Sequence, residues 1–481
     1  MVIVGAGFGG IGTAIQLLRT GFTDVTILEK AGDIGGVWRE NTYPGAGCDI
    51  PSPLYSYSFA PNPKWPRRYS RQQDILDYLR DTAAGYRLGE RLRLNTEVVA
   101  AEFDEATAHW LIHTGHGETI EADVLIPAVG QLSRPAVPDI PGADTFTGPI
   151  WHSARWRHDV SLAGRRVAVI GTGASAIQFV PRIQPQVDAL TVFQRSAPYV
   201  IPKPDRAYRP WHLRMFRELP ASRLFGRFGI WLLGELMTAA LTSMRPLAML
   251  LGLIFAVQLR LQVRDPRLRA AVRPDYPIGC KRLLFSNEWF PAISEPNVTL
   301  VTEQISAITA TGVRTADGRE HPVDVIIYGT GFHGTEFLAP MRITGRGGRR
   351  LTDVWSDGAH AYLGITVPEF PNMFLIYGPN TNLGGNSIIY MMESQARYIV
   401  TALSRLAQVP GSTIEVRATA AERFDIEMRG RLARSVWSAC QSWYREPGGR
   451  ISTNWPGQVL EYHRRTRTVD FTDYRVTAGR P

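Results

Sequence analysis

Short apolar runs that end in glycine-rich turns recur along this chain of 481 residues. The run VIV at 2–4 leads into GAGFGG and then into a helical pattern that lasts to residue 18. The run VAVI at 167–170 leads into GTGASA and a second helical pattern. A strand, a glycine-rich turn and a helix in this order indicate parallel βαβ units. The pattern predicts an α/β fold with two Rossmann-like dinucleotide-binding domains and a helical insertion.

The first turn has the spacing of a dinucleotide-binding fingerprint, with glycines at Gly5, Gly7 and Gly10. Gly5 permits the tight turn, and Gly7 lets a pyrophosphate approach the backbone beside the helix N-terminus. The next strand, VTILEK, ends at Glu29, whose carboxylate suits a ribose diol and would repel a 2′-phosphate. This site is therefore predicted to bind a nucleotide with an unphosphorylated ribose, as in FAD or NAD.

The second turn repeats the pattern with a different charge at its end. Its predicted cofactor contacts are Gly171, Thr172, Gly173, Ala174, Ser175 and Ala176. The strand that follows, LTVFQR, places Gln194 where the first site has Glu29, with Arg195 beside it. A guanidinium can bind a 2′-phosphate through two hydrogen bonds. Arg195, with Ser196 as a further contact, therefore indicates NADP.

The two turns divide the chain into a discontinuous FAD domain, an NADP domain inserted in it and a helical insertion. Their predicted ranges are 1–145 and 325–481 for FAD, 150–202 and 276–324 for NADP, and 203–275 for the insertion. The apolar strand in VDVIIYGTGF, residues 323–332, is predicted to return the chain to the FAD domain.

The insertion contains an apolar segment at 229–259 that Glu235 and Pro246 interrupt. Neither half reaches the roughly 20 apolar residues of a membrane span, so no integral span is predicted. We expect two helices, broken at Pro246, that pack against the core. A patch at a membrane surface is the alternative.

Composition narrows the class of protein. The chain is 44% hydrophobic, enough for at least two packed domains, and its net charge of +9 favours anionic partners. The basic residues are scattered, so nucleic acid is not expected. Cys48, Cys280 and Cys440 lie far apart without CxxC or metal-ligand spacing, which favours a reducing cytoplasm and no metal site. Met1 leads directly into a strand, without the basic region of a signal peptide.

Two nucleotide sites in one chain are typical of a flavoprotein that accepts hydride from a nicotinamide. A disulfide reductase would also need a paired redox cysteine motif near the flavin, and the sequence has none. A quinone, a second protein or oxygen remain as electron acceptors. The sequence gives no indication of the oligomeric state.

Two longer motifs narrow this choice. The segment GGVWRENTYPGAGCD at 35–49 and the segment FTGPIWHSARW at 146–156 resemble the two fingerprints of the type I Baeyer–Villiger monooxygenases. The second carries Phe146, Gly148, His152 and Trp156 in the family's spacing, but Arg157 replaces the proline or aspartate that usually follows. The resemblance covers nearly the whole chain and implies that this segment is a hinge between domains, in which His152 is structural.

The resemblance implies a reaction. NADPH reduces FAD, oxygen adds at the flavin C4a atom, and the peroxide attacks a ketone carbonyl to give an ester or lactone. Oxidation of sulfur or nitrogen in soft nucleophiles is a second hypothesis, because a protonated peroxide is an electrophile. A flavin-binding partner or sensor without oxygenase activity is a third. The implied partners are a small ketone or sulfide and O2.

The resemblance also implies roles for single residues. Arg282 is the essential cation beside the flavin, Asp49 pairs with it, and Lys281 shares the NADP 2′-phosphate with Arg195. An arginine suits this role because its charge persists at any working pH. The turn in 371–387 is expected near the flavin ring edge. Further expected cofactor contacts are Val37, Trp38, Arg39, Glu40, Tyr55, Val98 and Trp443.

Overall fold

The structure is a computed structural model that describes residues 1–409 and 411–477. Over these residues the helices are α1 Phe8–Arg19, α2 Val37–Glu40, α3 Gln72–Gly85, α4 Ala176–Ile183, α5 Pro210–Glu218, α6 Pro220–Thr242, α7 Arg245–Gln262, α8 Pro266–Ala271, α9 Trp289–Ile293, α10 Leu351–Val354, α11 Ile388–Leu406, α12 Ala418–Ala433 and α13 Val459–Arg465.

The strands over the same residues are β1 Val2–Val4, β2 Thr26–Leu28, β3 Leu92–Arg93, β4 Val98–Asp104, β5 His109–Thr114, β6 Thr119–Ala122, β7 Leu125–Pro127, β8 Ile150–His152, β9 Arg166–Ile170, β10 Ala189–Phe193, β11 Val200–Ile201, β12 Leu284–Phe285, β13 Val298–Val301, β14 Ile305–Thr309, β15 Gly312–Thr315, β16 Glu320–Pro322, β17 Val325–Tyr328, β18 Arg342–Thr344, β19 Thr413–Val416 and β20 Tyr474–Thr477.

The two predicted glycine-rich units each build a parallel sheet. The first sheet has the order β3-β2-β1-β7, and the second has the order β13-β10-β9-β17-β8. The central strands β1 and β9 are almost continuously apolar because helices cover both faces of a parallel sheet. Each glycine-rich turn follows the central strand of its sheet, so both turns lie at carboxyl edges, where α/β folds bind ligands.

The strand predicted to return the chain to the FAD domain is placed differently. β17 lies in the second sheet between β9 and β8, with Ile327 opposite Val169. The return comes later, where β18 joins the antiparallel strands β4, β5 and β6. The sequence of a parallel strand does not show which of the two sheets it joins, because that depends on pairing with strands far away in sequence. The predicted domain boundary at 325 is therefore wrong for this strand.

The segment FTGPIWHSARW contains a strand that is paired within the second sheet. Its residues 150–152 form β8, the edge strand of the second sheet, paired with β17. Trp156 packs against Phe179 and Trp151, with ring centroids 5.3 and 5.9 Å apart. The expected hinge therefore carries an edge strand of the second domain.

The helical insertion contains the expected break. α6 and α7 are joined by Ser243 and Met244, and Pro246 lies in the first turn of α7. Leu241, Leu251, Phe255 and Leu259 pack into the core of the second domain. The expectation that these helices pack against the core is only partly right, because the opposite sides of both helices expose large apolar side chains. By length and composition alone, α6 is long and apolar enough to cross a membrane.

Candidate active site

A cavity of about 1970 Å³ lies between the two glycine-rich turns and is closed on one side by the insertion. Its volume exceeds the roughly 300–1,000 Å³ of a pocket for one drug-sized ligand. Of the predicted site residues, all except Gly10 and Ala176 line it. Gly10 lies beneath the first turn, where a Cβ would collide with the Gly5 carbonyl oxygen, and Ala176 is fully buried at the start of α4.

The first glycine-rich turn is shaped for close approach of a ligand. Gly5 has φ +105°, and a Cβ there would lie 2.8 Å from the Ala128 carbonyl oxygen. Glu29 is buried at the end of β2, where its Oε2 accepts the Ala6 amide at 2.9 Å. Its Oε1 accepts from Arg39 Nη1 at 3.1 Å, so α2 supports the carboxylate from the side. Oε1 also accepts the Ala31 amide at 3.0 Å, so about one of the roughly four acceptor sites of the carboxylate remains for a ribose hydroxyl.

The second turn ends in a basic cluster. Lys281 Nζ donates to Ser196 Oγ at 2.8 Å and lies 4.5 Å from the centre of the Tyr276 ring. Burial, and then the positive charge of Arg195, lower the pKa of Lys281. Gln194 is buried, and its Nε2 donates to the Ala271 carbonyl at 2.8 Å, so this side chain supports the loop. Two cations and a hydroxyl at the carboxyl end of β10 suit a phosphate group.

Arg282 and Asp49 form an ion pair in the lining of the cavity. Arg282 Nη2 and Nε lie 2.5 and 3.2 Å from Asp49 Oδ2, and the side chains are 31% and 23% exposed. Burial tends to raise the pKa of Asp49, but the Arg282 guanidinium outweighs it, and this pKa is lowered. Asp49 in turn raises the pKa of Arg282. The site therefore holds a fixed cation, oriented by a carboxylate that stays ionised.

Comparisons with known proteins decide the family. A family model described as pyridine nucleotide-disulphide oxidoreductase matches residues 2–227. A Baeyer–Villiger monooxygenase of Streptomyces coelicolor is 44% identical, and the alignment covers 100% of this chain and 93% of the relative. A Baeyer–Villiger monooxygenase of Pseudomonas aeruginosa is 43% identical, with 99% and 91% covered. The chain belongs to the Baeyer–Villiger monooxygenases.

Solved structures agree with this assignment. This Baeyer–Villiger monooxygenase superposes on an oxidized steroid monooxygenase bound to NADP with a TM-score of 0.89 at 30% identity. It superposes on a cyclohexanone monooxygenase from Rhodococcus sp. Phi1 bound to NADP+ with a TM-score of 0.88 at 27% identity. Each alignment covers 99% of both chains. The predicted family, fold class, enzyme activity and cofactors, FAD and NADPH, are confirmed.

The residues present fit these two cofactors. The first turn offers Gly5 and Gly7 with the buried Glu29, an arrangement for an unphosphorylated ribose, as FAD has. The second turn offers Arg195 and Lys281, an arrangement for a 2′-phosphate. The other expected contacts, apart from Gly10 and Ala176, also line the cavity, and Trp38 Nε1 donates to the Tyr55 hydroxyl at 3.1 Å. Their individual roles stay predictions.

Three residues near the ion pair were not predicted from the sequence. Lys203 donates from Nζ to the Cys48 carbonyl at 3.0 Å, and burial lowers its pKa although Asp49 opposes the shift. Burial raises the pKa values of Tyr377 and Tyr444, and in both the charge of Arg282 acts in the opposite direction. The turn at 371–387, expected near the flavin ring edge, brings Tyr377 into the cavity lining. No local sequence motif indicates that Lys203 or Tyr444 lies near the ion pair, because contacts between distant parts of the chain bring them there.

His152 lies outside the cavity lining. It is buried, and its Nδ1 accepts the Ala154 amide at 3.1 Å. Burial lowers its pKa from 6.5 to about 4, so the imidazole is neutral near pH 7. These features agree with the prediction of a structural role.

Two of the three cysteines form a disulfide, which was not predicted from the sequence. Cys280 and Cys440 form a disulfide with their Cα atoms 6.0 Å apart, although 160 positions separate them in sequence. Sequence spacing carries no sign of this pair, since the fold alone brings the two loops together. Cys280 is fully buried directly before Lys281, and Cys48 is a buried free thiol. Within 1–409 and 411–477, no group of three or more His, Cys, Asp or Glu residues could hold a metal ion.

Proposed function

We propose that this Baeyer–Villiger monooxygenase converts bulky, apolar ketones to esters or lactones, with Arg282 as the catalytic cation. The observation that supports the proposal is the position of Arg282, which lines the cavity between the two nucleotide turns and is held by Asp49. A fixed charge in a site that excludes much of the water stabilises developing negative charge far more than it would in bulk solvent.

Each part of the cavity has a proposed task. The first turn and α2 hold FAD, and the second turn with Arg195 and Lys281 holds NADPH. Bound FAD, once reduced by NADPH, would activate O2, so that one oxygen atom is inserted into the substrate and the other leaves as water. Arg282 stabilises the negative charge that develops on the substrate carbonyl oxygen as carbon is attacked, and Asp49 orients the guanidinium. Trp443, which lines the cavity from the C-terminal part of the chain, helps to enclose the substrate.

The insertion supplies the apolar wall from which we infer the substrate class. Ile230, Leu233 and Met237 of α6 and Leu251 and Ile254 of α7 line the cavity. An apolar wall with one strong cation suits a molecule with a single carbonyl group on a hydrocarbon frame. We retain O2 and a small molecule as the partners of this protein, whereas the Cys280–Cys440 disulfide removes the cysteine argument for a reducing cytoplasm.

Replacement of Arg282 tests the proposal. Arg282→Ala should keep the flavin absorption spectrum but lower the rate of ester formation by about a hundredfold to a thousandfold, the usual cost of losing one preorganised charge contact. Arg166→Ala is the matched control, because Arg166 pairs with Asp324 and does not line the cavity. Product analysis would use linear, cyclic and aryl ketones beside a thioether.

The outcomes separate the hypotheses. Normal ester yield from Arg282→Ala would contradict the role of this residue. Sulfoxide as the only product of the wild-type enzyme would favour heteroatom oxidation. Hydrogen peroxide as the only product with every substrate would favour a flavoprotein that does not oxygenate substrates.

A further inference from the structure

Among the residues that the structure describes, exposed apolar side chains are most concentrated on the outer side of the α6–α7 pair. Of the 20 large hydrophobic residues that are exposed over the described part of the chain, 15 lie between 211 and 261. Phe225 and Met249 are 78% and 76% exposed. We call this surface the apolar face, and its members on the two helices are Leu224, Phe225, Phe228, Leu232, Leu233, Leu236, Met249, Leu250, Leu253, Ile254, Val257 and Leu261. A patch of this kind marks an interaction surface.

The positive charge of the chain is concentrated in the same insertion. Residues 203–275 contain 13 Lys and Arg against 5 Asp and Glu, a formal charge of +8 out of the chain's +9. Arg217 precedes α6, and Arg264 and Arg267 follow α7, so all three lie at the end of the helix pair away from the turn at 243–244. All three are exposed. Apolar side chains beside exposed arginines are the combination that binds anionic lipid surfaces.

The opposite sides of the two helices are attached to the rest of the protein. Arg227 of α6 donates to the Pro53 carbonyl at 2.7 Å, and Glu235 accepts the Val459 amide at 3.1 Å at the start of α13. Gln258 of α7 donates to the Ser286 carbonyl at 2.8 Å. These contacts hold the helix pair against both domains. α6 is therefore in a position to lie along a membrane surface, and crossing the membrane would break its attachments.

We infer that the apolar face docks this enzyme on the surface of an anionic phospholipid bilayer. A second copy of the chain is the less favourable occupant, because a symmetric dimer pairs the same patch of both subunits and would bring the exposed Arg217, Arg264 and Arg267 of each copy into one interface. A bilayer with anionic headgroups accepts the apolar side chains and neutralises the arginines at once.

The cavity meets this surface. Leu233 and Ile254 belong to the apolar face and also line the cavity. An apolar ketone dissolved in the bilayer would then reach the site with little contact with water, a consequence that rests on the proposed function. Docking itself does not depend on that function, so each is tested separately.

Vesicle flotation of the full-length holoenzyme tests the docking. The protein should float with vesicles of phosphatidylcholine containing roughly 30% phosphatidylglycerol, and much less with phosphatidylcholine alone. Raising the salt from about 0.1 M to about 1 M, where the Debye length falls from about 10 Å to about 3 Å, should weaken the binding. The triple variant Phe225→Asn, Phe228→Asn, Leu250→Asn should lower the bound fraction about tenfold or more.

The controls keep this test specific. None of the three substituted residues lines the cavity, so oxidation of a water-soluble ketone by the triple variant should stay at the wild-type rate. Ile426→Asn with Val476→Asn removes exposed apolar side chains elsewhere and should leave flotation unchanged. Absence of flotation with anionic vesicles would overturn the inference. Equal flotation of the triple variant, or a wild-type dimer that the triple substitution dissociates, would also overturn it.

Discussion

At the scale of single residues, the contrast between the two nucleotide turns has the clearest consequence. Glu29 directly follows β2, whereas β10 is followed by the neutral Gln194 and then by Arg195, with Lys281 nearby. Arg195→Gln or Lys281→Gln should raise KM for NADPH by about tenfold to a hundredfold, since a charged hydrogen bond to phosphate is lost. KM for NADH should change little, because NADH has no 2′-phosphate.

Initial rates with both nucleotides give this comparison. Arg165→Gln is the matched control, because this exposed arginine precedes β9 and therefore lies at the opposite edge of the same sheet. An equal increase in KM for NADPH and NADH would contradict the assignment of the 2′-phosphate to these two side chains.

His152 allows a second prediction at this scale, on the pH dependence of stability. Its pKa in the folded protein is about 4, below the ordinary 6.5, so the unfolded chain binds more protons between these values. Stability should therefore fall as the pH falls through this window, by at most about 3 kcal/mol. His152→Gln should show a smaller loss of unfolding free energy between neutral pH and pH 4.

Urea unfolding at a series of pH values measures this difference. His116→Gln serves as the control, because His116 is exposed and should leave the pH dependence of the wild type unchanged. If His152→Gln loses as much stability as the wild type on acidification, burial of a neutral imidazole is not the cause.

At the scale of elements, the sequence predicted the helices, strands and turns that are defined by local sequence patterns. We could predict the strand, turn and helix of each nucleotide site, and the break between α6 and α7. The hydrophobic period and the spacing of glycine and proline that indicate them are local features of the sequence. The sheet that β17 joins and the pairing of Cys280 with Cys440 could not be predicted, since both depend on chain segments far apart in sequence. The positions of Lys203 and Tyr444 beside the ion pair were not predicted for the same reason.

The disulfide leads to a prediction about two loops. Cys280 lies two residues before Arg282, and Cys440 lies three residues before Trp443, so the bond ties together two loops that both line the cavity. Reduction should lower the free energy of unfolding by about 2–5 kcal/mol, as usual for a crosslink that closes a long loop. Urea unfolding with and without dithiothreitol measures this change.

A variant without the bond provides the control for this experiment. Cys280→Ser with Cys440→Ser should resemble the reduced wild type and should not respond to dithiothreitol. Thiol titration of the denatured, unreduced wild type should find one thiol, that of Cys48. A titration of three thiols, or an equal response of the double variant to reductant, would contradict the prediction.

At the scale of the whole molecule, the first Baeyer–Villiger fingerprint, residues 35–49, forms a contact between the two domains that its sequence spacing does not reveal. The loop at 43–47 belongs to the first domain but rests on α4 of the second. The Tyr43 hydroxyl donates to Gln178 Oε1 at 3.1 Å, and Gln178 Nε2 donates to the Gly47 carbonyl at 3.0 Å. A Cβ at Gly45 would lie 2.6 Å from the Gln178 carbonyl oxygen, so only glycine fits there. Asp49 follows directly, and this contact therefore sets its position relative to the second domain.

Gln178→Ala should therefore weaken the alignment of the first domain with the second, while both nucleotide sites remain. We expect ester formed per NADPH consumed to fall by about tenfold, because small misplacements of reacting groups are costly, while the flavin spectrum stays normal. Hydrogen peroxide should account for the missing product. Gln186→Ala, at an exposed position after α4, should keep the coupling of the wild type. If Gln178→Ala keeps that coupling too, the contact between the fingerprint loop and α4 does not align the site, and the Arg282–Asp49 pair alone would hold Asp49 in place.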